Sequence, residues 1–219
     1  MMAPNRQSWW SRTLAYGLMV KYFTLALATS SSKRGLAYTP NNRSLYPEDS
    51  YVWTRQPSDL TWYYDYVSYP ISTYSNLSQS AFEFVPMMGW APTDPSDTEF
   101  LKNVTSLIKD HGINIKNVMT FNEPDLGIQG GGSQVDPAFG AKVWVNNIIP
   151  LQKMGIRVGL PACSGGPGGI PWTKQFLDSC SKLISTQGKT QNCTYDFVGV
   201  HWYGDFKGLA GHLGEYTVA

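Results

Sequence analysis

The sequence predicts an α/β fold of parallel strands and outer helices, a (β/α)8 TIM barrel that is incomplete, with about six of eight β-α units. Three observations point there. After residue 32, short apolar runs alternate with amphipathic segments, as β-α units do. Several of the runs are nearly continuous in apolar residues, as strands covered on both faces must be. No Gly-x-Gly-x-x-Gly follows the first strand and nothing reverses the strand order, which argues against a doubly wound dinucleotide-binding sheet. A complete barrel typically takes about 250 residues; the 219 here, less a leader, fall short by roughly two units.

The elements follow in order. Arg6, Arg12 and Lys21 give the chain a positive start, and Tyr22–Ala28 is a short apolar stretch. Ala26-Leu27-Ala28 fits a small-x-small cleavage pattern ahead of the polar run Thr29–Ser32. Residues 1–28 are therefore assigned to a signal peptide and 29–219 to one partial barrel domain. No uninterrupted run approaches the roughly 20 apolar residues needed to span a bilayer, so stable membrane insertion is not expected. Strands are expected at Arg34–Tyr38, Leu60–Tyr66, Phe82–Met88, Asn117–Phe121, Arg157–Pro161 and Phe197–His201. Asp94-Pro95 supplies an N-cap and an opening proline for a first helix. Phe100, Leu101, Val104, Leu107 and Ile108 give it an apolar face, and Gly112 stops it. Asp136-Pro137 starts a second helix with Ala141, Trp144, Ile148 and Leu151 on one face and Pro150 near its end. Trp172, Phe176, Cys180 and Leu183 mark a third.

Composition narrows the function. A net charge of +1 offers no electrostatic footprint for nucleic acid or an anionic membrane. The unusual feature is 8 Trp and 13 Tyr, many clustered. They serve either a large aromatic core or sugar binding, since ring faces offer apolar platforms to pyranose C–H groups. Four sequons, at Asn42, Asn76, Asn103 and Asn192, agree with a secreted chain. Cys180 and Cys193 flank a polar stretch that a bond between them would close as a loop, with Cys163 left over. Three unpaired thiols are the other reading.

Active sites of such barrels lie at the C-terminal ends of strands. The fourth strand runs into Asn122-Glu123-Pro124-Asp125. A glutamic acid there protonates a leaving glycosidic oxygen, and an adjacent amide hydrogen-bonds the sugar 2-OH. The structural alternative is a Glu-Pro turn with Asp125 as a helix cap. The sixth strand ends in His201-Trp202-Tyr203-Gly204, whose polar-edged rings are poor core material and suit the floor of a sugar subsite. Trp90 follows the third strand, at the same rim. Pro161–Gly169 is a glycine-rich loop without the Gly-Lys-Ser/Thr ending of a phosphate loop.

Five motifs, Lys33–Tyr38, Trp62-Tyr63-Tyr64, Phe84–Met88, Phe121–Asp125 and His201–Gly204, occur in an order and spacing that resembles the fungal Asl1-like proteins of glycoside hydrolase family 128, clan A barrels. The resemblance spans residues 33–206. It implies a secreted or cell-wall protein, monomeric, without cofactor or metal, that cleaves β-1,3-glucan of fungal walls in endo fashion with retention. It implies Glu123 as acid/base and Asn122 as the 2-OH partner. The candidate substrate-binding residues are Tyr38, Trp62, Trp90, His201, Trp202 and Tyr203. Cys180 and Cys193 resemble a bonded pair. Two departures stand out: Gly89-Trp90 replaces the expected Trp-Gly, and no glutamate matches the nucleophile at the end of a seventh strand. Glu215 follows Gly204 too closely to belong to a new parallel strand, which needs a crossover of about a dozen residues or more, so it belongs to a helix. The expected lineage function is thus glucan hydrolysis impaired by a missing nucleophile, and the alternative is an inactive glucan-binding wall protein.

Overall fold

The computed structural model describes residues 33–39, 47–55 and 57–218. The leader assigned to 1–28 and the sequon at Asn42 lie outside the described residues. The strands are β1 (Gly35–Ala37), β2 (Trp62–Tyr64), β3 (Glu83–Phe84), β4 (Met87–Met88), β5 (Asn117–Thr120), β6 (Arg157–Leu160) and β7 (Phe197–Val198). All pairs are parallel, and the spatial order is the chain order, β1-β2-β3 and then β4-β5-β6-β7. β3 and β4 are the halves of one expected strand, Phe82–Met88. Pro86 between them has no N–H to donate to a ladder, so β3 pairs back to β2 and β4 forward to β5. Every strand is shorter than its apolar run, because burial against the helices continues past the last ladder pair. The second expected strand shows this best. Its ladder stops at Tyr64, and Tyr66 already turns at φ 63°.

Among the described residues four α-helices follow: α1 (Glu99–Lys109), α2 (Pro137–Lys153), α3 (Gly169–Ile184) and α4 (Phe206–Val218). The expected start of α1 is corrected. Asp94 does not cap it; its Oδ1 accepts from the Ser96 N–H at 2.8 Å and the Ser96 hydroxyl at 2.7 Å, closing a local turn. The helix begins at Glu99, whose N–H is met by Asp97 Oδ1. Gly112, past its end, takes φ 65°. α2 starts as expected, with Asp136 accepting from the Phe139 N–H at 2.9 Å and Pro137 in first place. In α3, Trp172, Phe176 and Cys180 are buried whereas Leu183 is half exposed.

The core lies between the strands and these helices. Tyr63, Phe84, Val118, Val158 and Leu160 point outward from the strands onto Val104 and Leu107 of α1 and Trp144, Ile148 and Leu151 of α2. Trp144 meets Phe176 edge-on at 5.4 Å, and Phe176 stacks on Trp172 at 5.2 Å, which seats α3. Asn147, fully buried on α2, accepts from the Leu101 N–H and donates to the Asp97 carbonyl, so one helix caps the start of another. Alternate strand residues face inward, where Trp62, Glu83, Asn117, Met119, Arg157 and Phe197 line an opening. β1 and β6 carry glycine where rings from the neighbouring strands cross them. A Cβ on Gly35 would fall 2.2 Å from the Trp62 indole, and one on Gly159 2.4 Å from the Phe197 ring. Cys180 and Cys193 are disulfide-bonded with Cα atoms 5.6 Å apart, closing the end of α3 onto the approach to β7; Cys163 is a free, buried thiol. Glu215 lies in α4, bonded to His212 Nδ1 at 2.8 Å.

Asp65, next to Tyr63, is 5% exposed and neither carboxylate oxygen has a hydrogen-bond partner of good geometry. Burial pushes its carboxyl up to about 7, against weaker opposition from the amides of Val67 and Asp65 itself. A carboxyl raised on folding stabilises while protonated and loses that contribution as pH rises through the folded value. Stability should therefore fall between roughly pH 4 and pH 7. Asp65→Asn should flatten this slope and raise Tm above pH 7 relative to the parent, with little difference at pH 4. Parallel thermal melts across that range check it.

Candidate active site

The parallel ladder does not end with β5. Asn122 N–H donates to Gly89 O at 2.9 Å, Glu123 N–H donates to Ala162 O at 2.8 Å, and Asn122 bridges Ala162. The two residues are thus held between the ends of β4 and β6. Glu123 then takes φ 42°, rare for a residue with a side chain, and the Leu126 N–H closes the turn onto its carbonyl. Strain of this kind is stored where the surroundings over-determine the backbone.

The Glu123 carboxylate, 11% exposed, meets His201 from beyond β7: His201 Nδ1 lies 2.9 Å from Glu123 Oε1. Glu123 Oε2 makes no hydrogen bond among the described residues, so one oxygen is fixed and the other is free for a ligand. Asn122 donates one amide hydrogen to Gly131 O at 3.0 Å, which orients the side chain and leaves its second hydrogen. Two residues on, Asp125 clamps the loop after β6. Its Oδ1 accepts from the Ser164 N–H at 2.8 Å and its Oδ2 from the Ser164 hydroxyl at 2.5 Å. Asp125 is therefore a strut, not the helix cap of the structural alternative, and it is not available as a second reacting carboxylate.

A row of rings climbs the inner face of β2 to the rim. Trp62 and Tyr64 stack at 6.3 Å, Tyr64 meets Tyr66 edge-on at 5.1 Å, and Tyr66 leans on Trp90 at 6.2 Å. Trp90 is half exposed. Burial, with Tyr66 and Tyr203 nearby, pushes the Tyr64 phenol well above its ordinary range.

The six expected substrate contacts separate on this geometry. His201 is on Glu123, and Trp90 stands on the rim. Tyr203 projects freely, at 92% exposed. Trp202 packs on His212 at 5.5 Å and against Gly165, with Nε1 donating to Asp205 O, so it anchors α4 to the β6 loop. Trp62 lies at the first residue of β2, on the inner face of the sheet beside Glu83 and Arg157, two residues before Tyr64. Tyr38 turns outward, edge-on to Tyr74 at 5.5 Å, with its hydroxyl on Ser50. Tyr64 and Tyr66 were missed, although the i, i+2 spacing of Trp62, Tyr64 and Tyr66 marks one strand face. No local signal announces the Asp125–Ser164 clamp, which joins segments 39 residues apart. Cys163 is fully buried, and burial pushes its thiol up to about 12, which disfavours the thiolate. Among the described residues no cluster of three or more His, Cys, Asp or Glu could hold a metal.

The model of the glycosyl hydrolase catalytic core matches residues 35–219. Alkali-sensitive linkage protein 1 of Schizosaccharomyces pombe is 32% identical over 186 residues, 84% of this chain; the chain spans only 28% of that relative's length. A family 128 curdlan-specific exo-β-1,3-glucanase from Blastomyces gilchristii, crystallised with glucose, superposes with a TM-score of 0.58 at 25% identity, over 85% of this chain and 67% of that one. A family 128 endo-β-1,3-glucanase from Pseudomonas viridiflava superposes at 0.63 with 23% identity, over 87% and 68%.

If Asp125 is the strut of the site, Asp125→Ala should loosen it locally. Two charge-assisted hydrogen bonds are lost, each about 1.5–3 kcal/mol. Amide exchange in the segments 121–126 and 162–168 should accelerate roughly 10- to 100-fold, with α2 unchanged. Hydrogen-exchange mass spectrometry reads this, and unaltered exchange in both loops would refute the role.

Proposed function

Because the chain belongs to the glycosyl hydrolase catalytic core family, as an Asl1-like member of glycoside hydrolase family 128, we infer that its rim is a β-1,3-glucan site. The supporting observation is the half-fixed carboxylate of Glu123, with one oxygen on His201 and one open, beside a row of aromatic rings. In this reading Glu123 is the acid/base. Its free oxygen delivers a proton to the glycosidic oxygen, while His201 holds the other and sets the plane of the carboxyl group. The remaining amide hydrogen of Asn122 meets the sugar 2-OH, a contact that strengthens as positive charge develops at the anomeric carbon. Tyr66 and Trp90 offer a stacking surface on one side and Tyr203 on the other. The lineage reaction is endo-acting with retention.

Retention needs a second carboxylate roughly 5–5.5 Å from the first. Asp125 is bound to Ser164 and Glu215 to His212, so we assign no nucleophile among the described residues. Among the described residues β1 and β7 each have one strand neighbour, and in this reading two further β-α units would close the barrel and bring the second carboxylate. The chain by itself is then impaired in hydrolysis while retaining the glucan rim. The same observation favours the second reading, a glucan-binding protein of the cell wall. Both place the protein outside the cell.

Affinity electrophoresis of the purified chain in laminarin gels, with a reducing-sugar assay alongside, separates these ideas. Retardation that Trp90→Ala and Tyr66→Ala weaken, without release of reducing sugar, is expected. Absence of retardation would overturn the glucan reading. Turnover abolished by Glu123→Gln, typically a 10²–10⁴-fold effect for a general acid, would overturn the impaired reading in favour of an active hydrolase.

A further inference from the structure

Three sequons fall within the described residues, and the structure treats them differently. Asn103 lies on α1 with both ends of its amide engaged: Nδ2 donates to the Ser68 hydroxyl at 3.0 Å, and Oδ1 accepts from the Tyr69 hydroxyl at 2.6 Å. It lines a groove with Tyr66, Gly89, Trp90 and Phe100, beside the rim end of the aromatic row. Asn76 is exposed in the connection from β2 to β3, and its side chain makes no hydrogen bond among the described residues. Asn192 is likewise exposed and unbonded, on the tight loop before disulfide-bonded Cys193, in the connection from α3 to β7. Both connections lead into the starts of strands, the end of the barrel opposite Glu123.

We propose that Asn76 and Asn192 are sites of N-linked glycosylation and that Asn103 is not. The inference rests on the reading that the protein is secreted, and not on what its rim binds. In the transfer, the amide nitrogen of asparagine forms a bond to C1 of a sugar on a lipid diphosphate-linked oligosaccharide. The C1–O bond to phosphate breaks, the lipid diphosphate leaves, and the amide loses one proton. At Asn76 and Asn192 the resulting glycan projects into solvent and disturbs no contact. At Asn103 the same nitrogen holds Ser68. A glycan there would break that bond and enter the groove beneath Trp90, detaching the loop that carries Tyr66 from α1. Chains modified at Asn103 are thus expected to misfold and not to accumulate. The glycans also leave the rim clear, because the modified residues sit on the far end of the strands.

The test is expression of the full chain behind a cleavable secretion leader in a eukaryotic host. Soluble secreted protein is mapped by enzymatic deglycosylation in heavy-oxygen water and peptide mass spectrometry, with single Asn→Gln variants. Heavy-oxygen-labelled aspartate is expected at 76 and 192 and unmodified asparagine at 103. Asn76→Gln and Asn192→Gln should each remove one glycan and leave Tm within a degree or so. Asn103→Gln should remove none, yet lower Tm by several degrees through the lost Ser68 and Tyr69 bonds. Occupancy at Asn103 comparable to the other two sites would overturn the proposal, as would unmodified Asn76 and Asn192.

Discussion

The structure depends on how the end of β5 is held. Two backbone hydrogen bonds, Asn122 N–H to Gly89 O and Glu123 N–H to Ala162 O, carry the ladder past the last strand pair. They fasten one residue to β4 and the next to β6. With both in place Glu123 sits at φ 42°, a conformation its own Cβ disfavours. That turn sends the chain into the loop where Asp125 clamps Ser164, so the strained residue is braced on either side by neighbouring strands. The imidazole of His201 adds a third support from β7. Four successive strand ends thus meet at Asn122-Glu123, the arrangement that parallel β-α units favour because every loop after a strand opens on the same face.

Period two does the rest. Along β2, Tyr63 and Asp65 turn outward to the helices, and Trp62, Tyr64 and Tyr66 turn inward. One strand therefore builds both the core and the aromatic row. The outward set forms a tight ring cluster, with Tyr63 stacked on Phe82 at 4.9 Å and tilted onto Phe84 at 5.2 Å. It also carries the one expensive element of the region, the unpartnered carboxyl of Asp65. The outer rings are core, and the inner ones end at an accessible rim.

The strand positions were legible because burial on two faces leaves nearly unbroken apolar runs, and Asn122-Glu123 was legible because it follows such a run directly. His201 was legible as a polar ring at a strand end, though its pairing with Glu123 joins residues 78 apart, which no local pattern can announce. Trp62 and Tyr38 lie away from Glu123 for a common reason. Motif membership places a residue on a strand but says neither how far along it nor on which face, and a shift of one residue reverses the face. The start of α1 misled because Asp94 satisfied the Ser96 amide and hydroxyl locally, ahead of any helix. The true cap comes partly from Asn147, 46 residues away from the Leu101 amide it accepts from.

In the proposed function, a β-1,3-linked glucose chain lies against one oxygen of Glu123, presented by this bracing and flanked by the aromatic row. A crystal structure of the chain soaked with laminaritriose tests it most directly. Expected are a glycosidic oxygen within hydrogen-bond reach of Glu123 Oε2, roughly 2.6–3.2 Å, a 2-OH on Asn122, and a pyranose ring over Tyr66 or Trp90. Ordered sugar elsewhere on the protein, with the surroundings of Glu123 left to solvent, would contradict it.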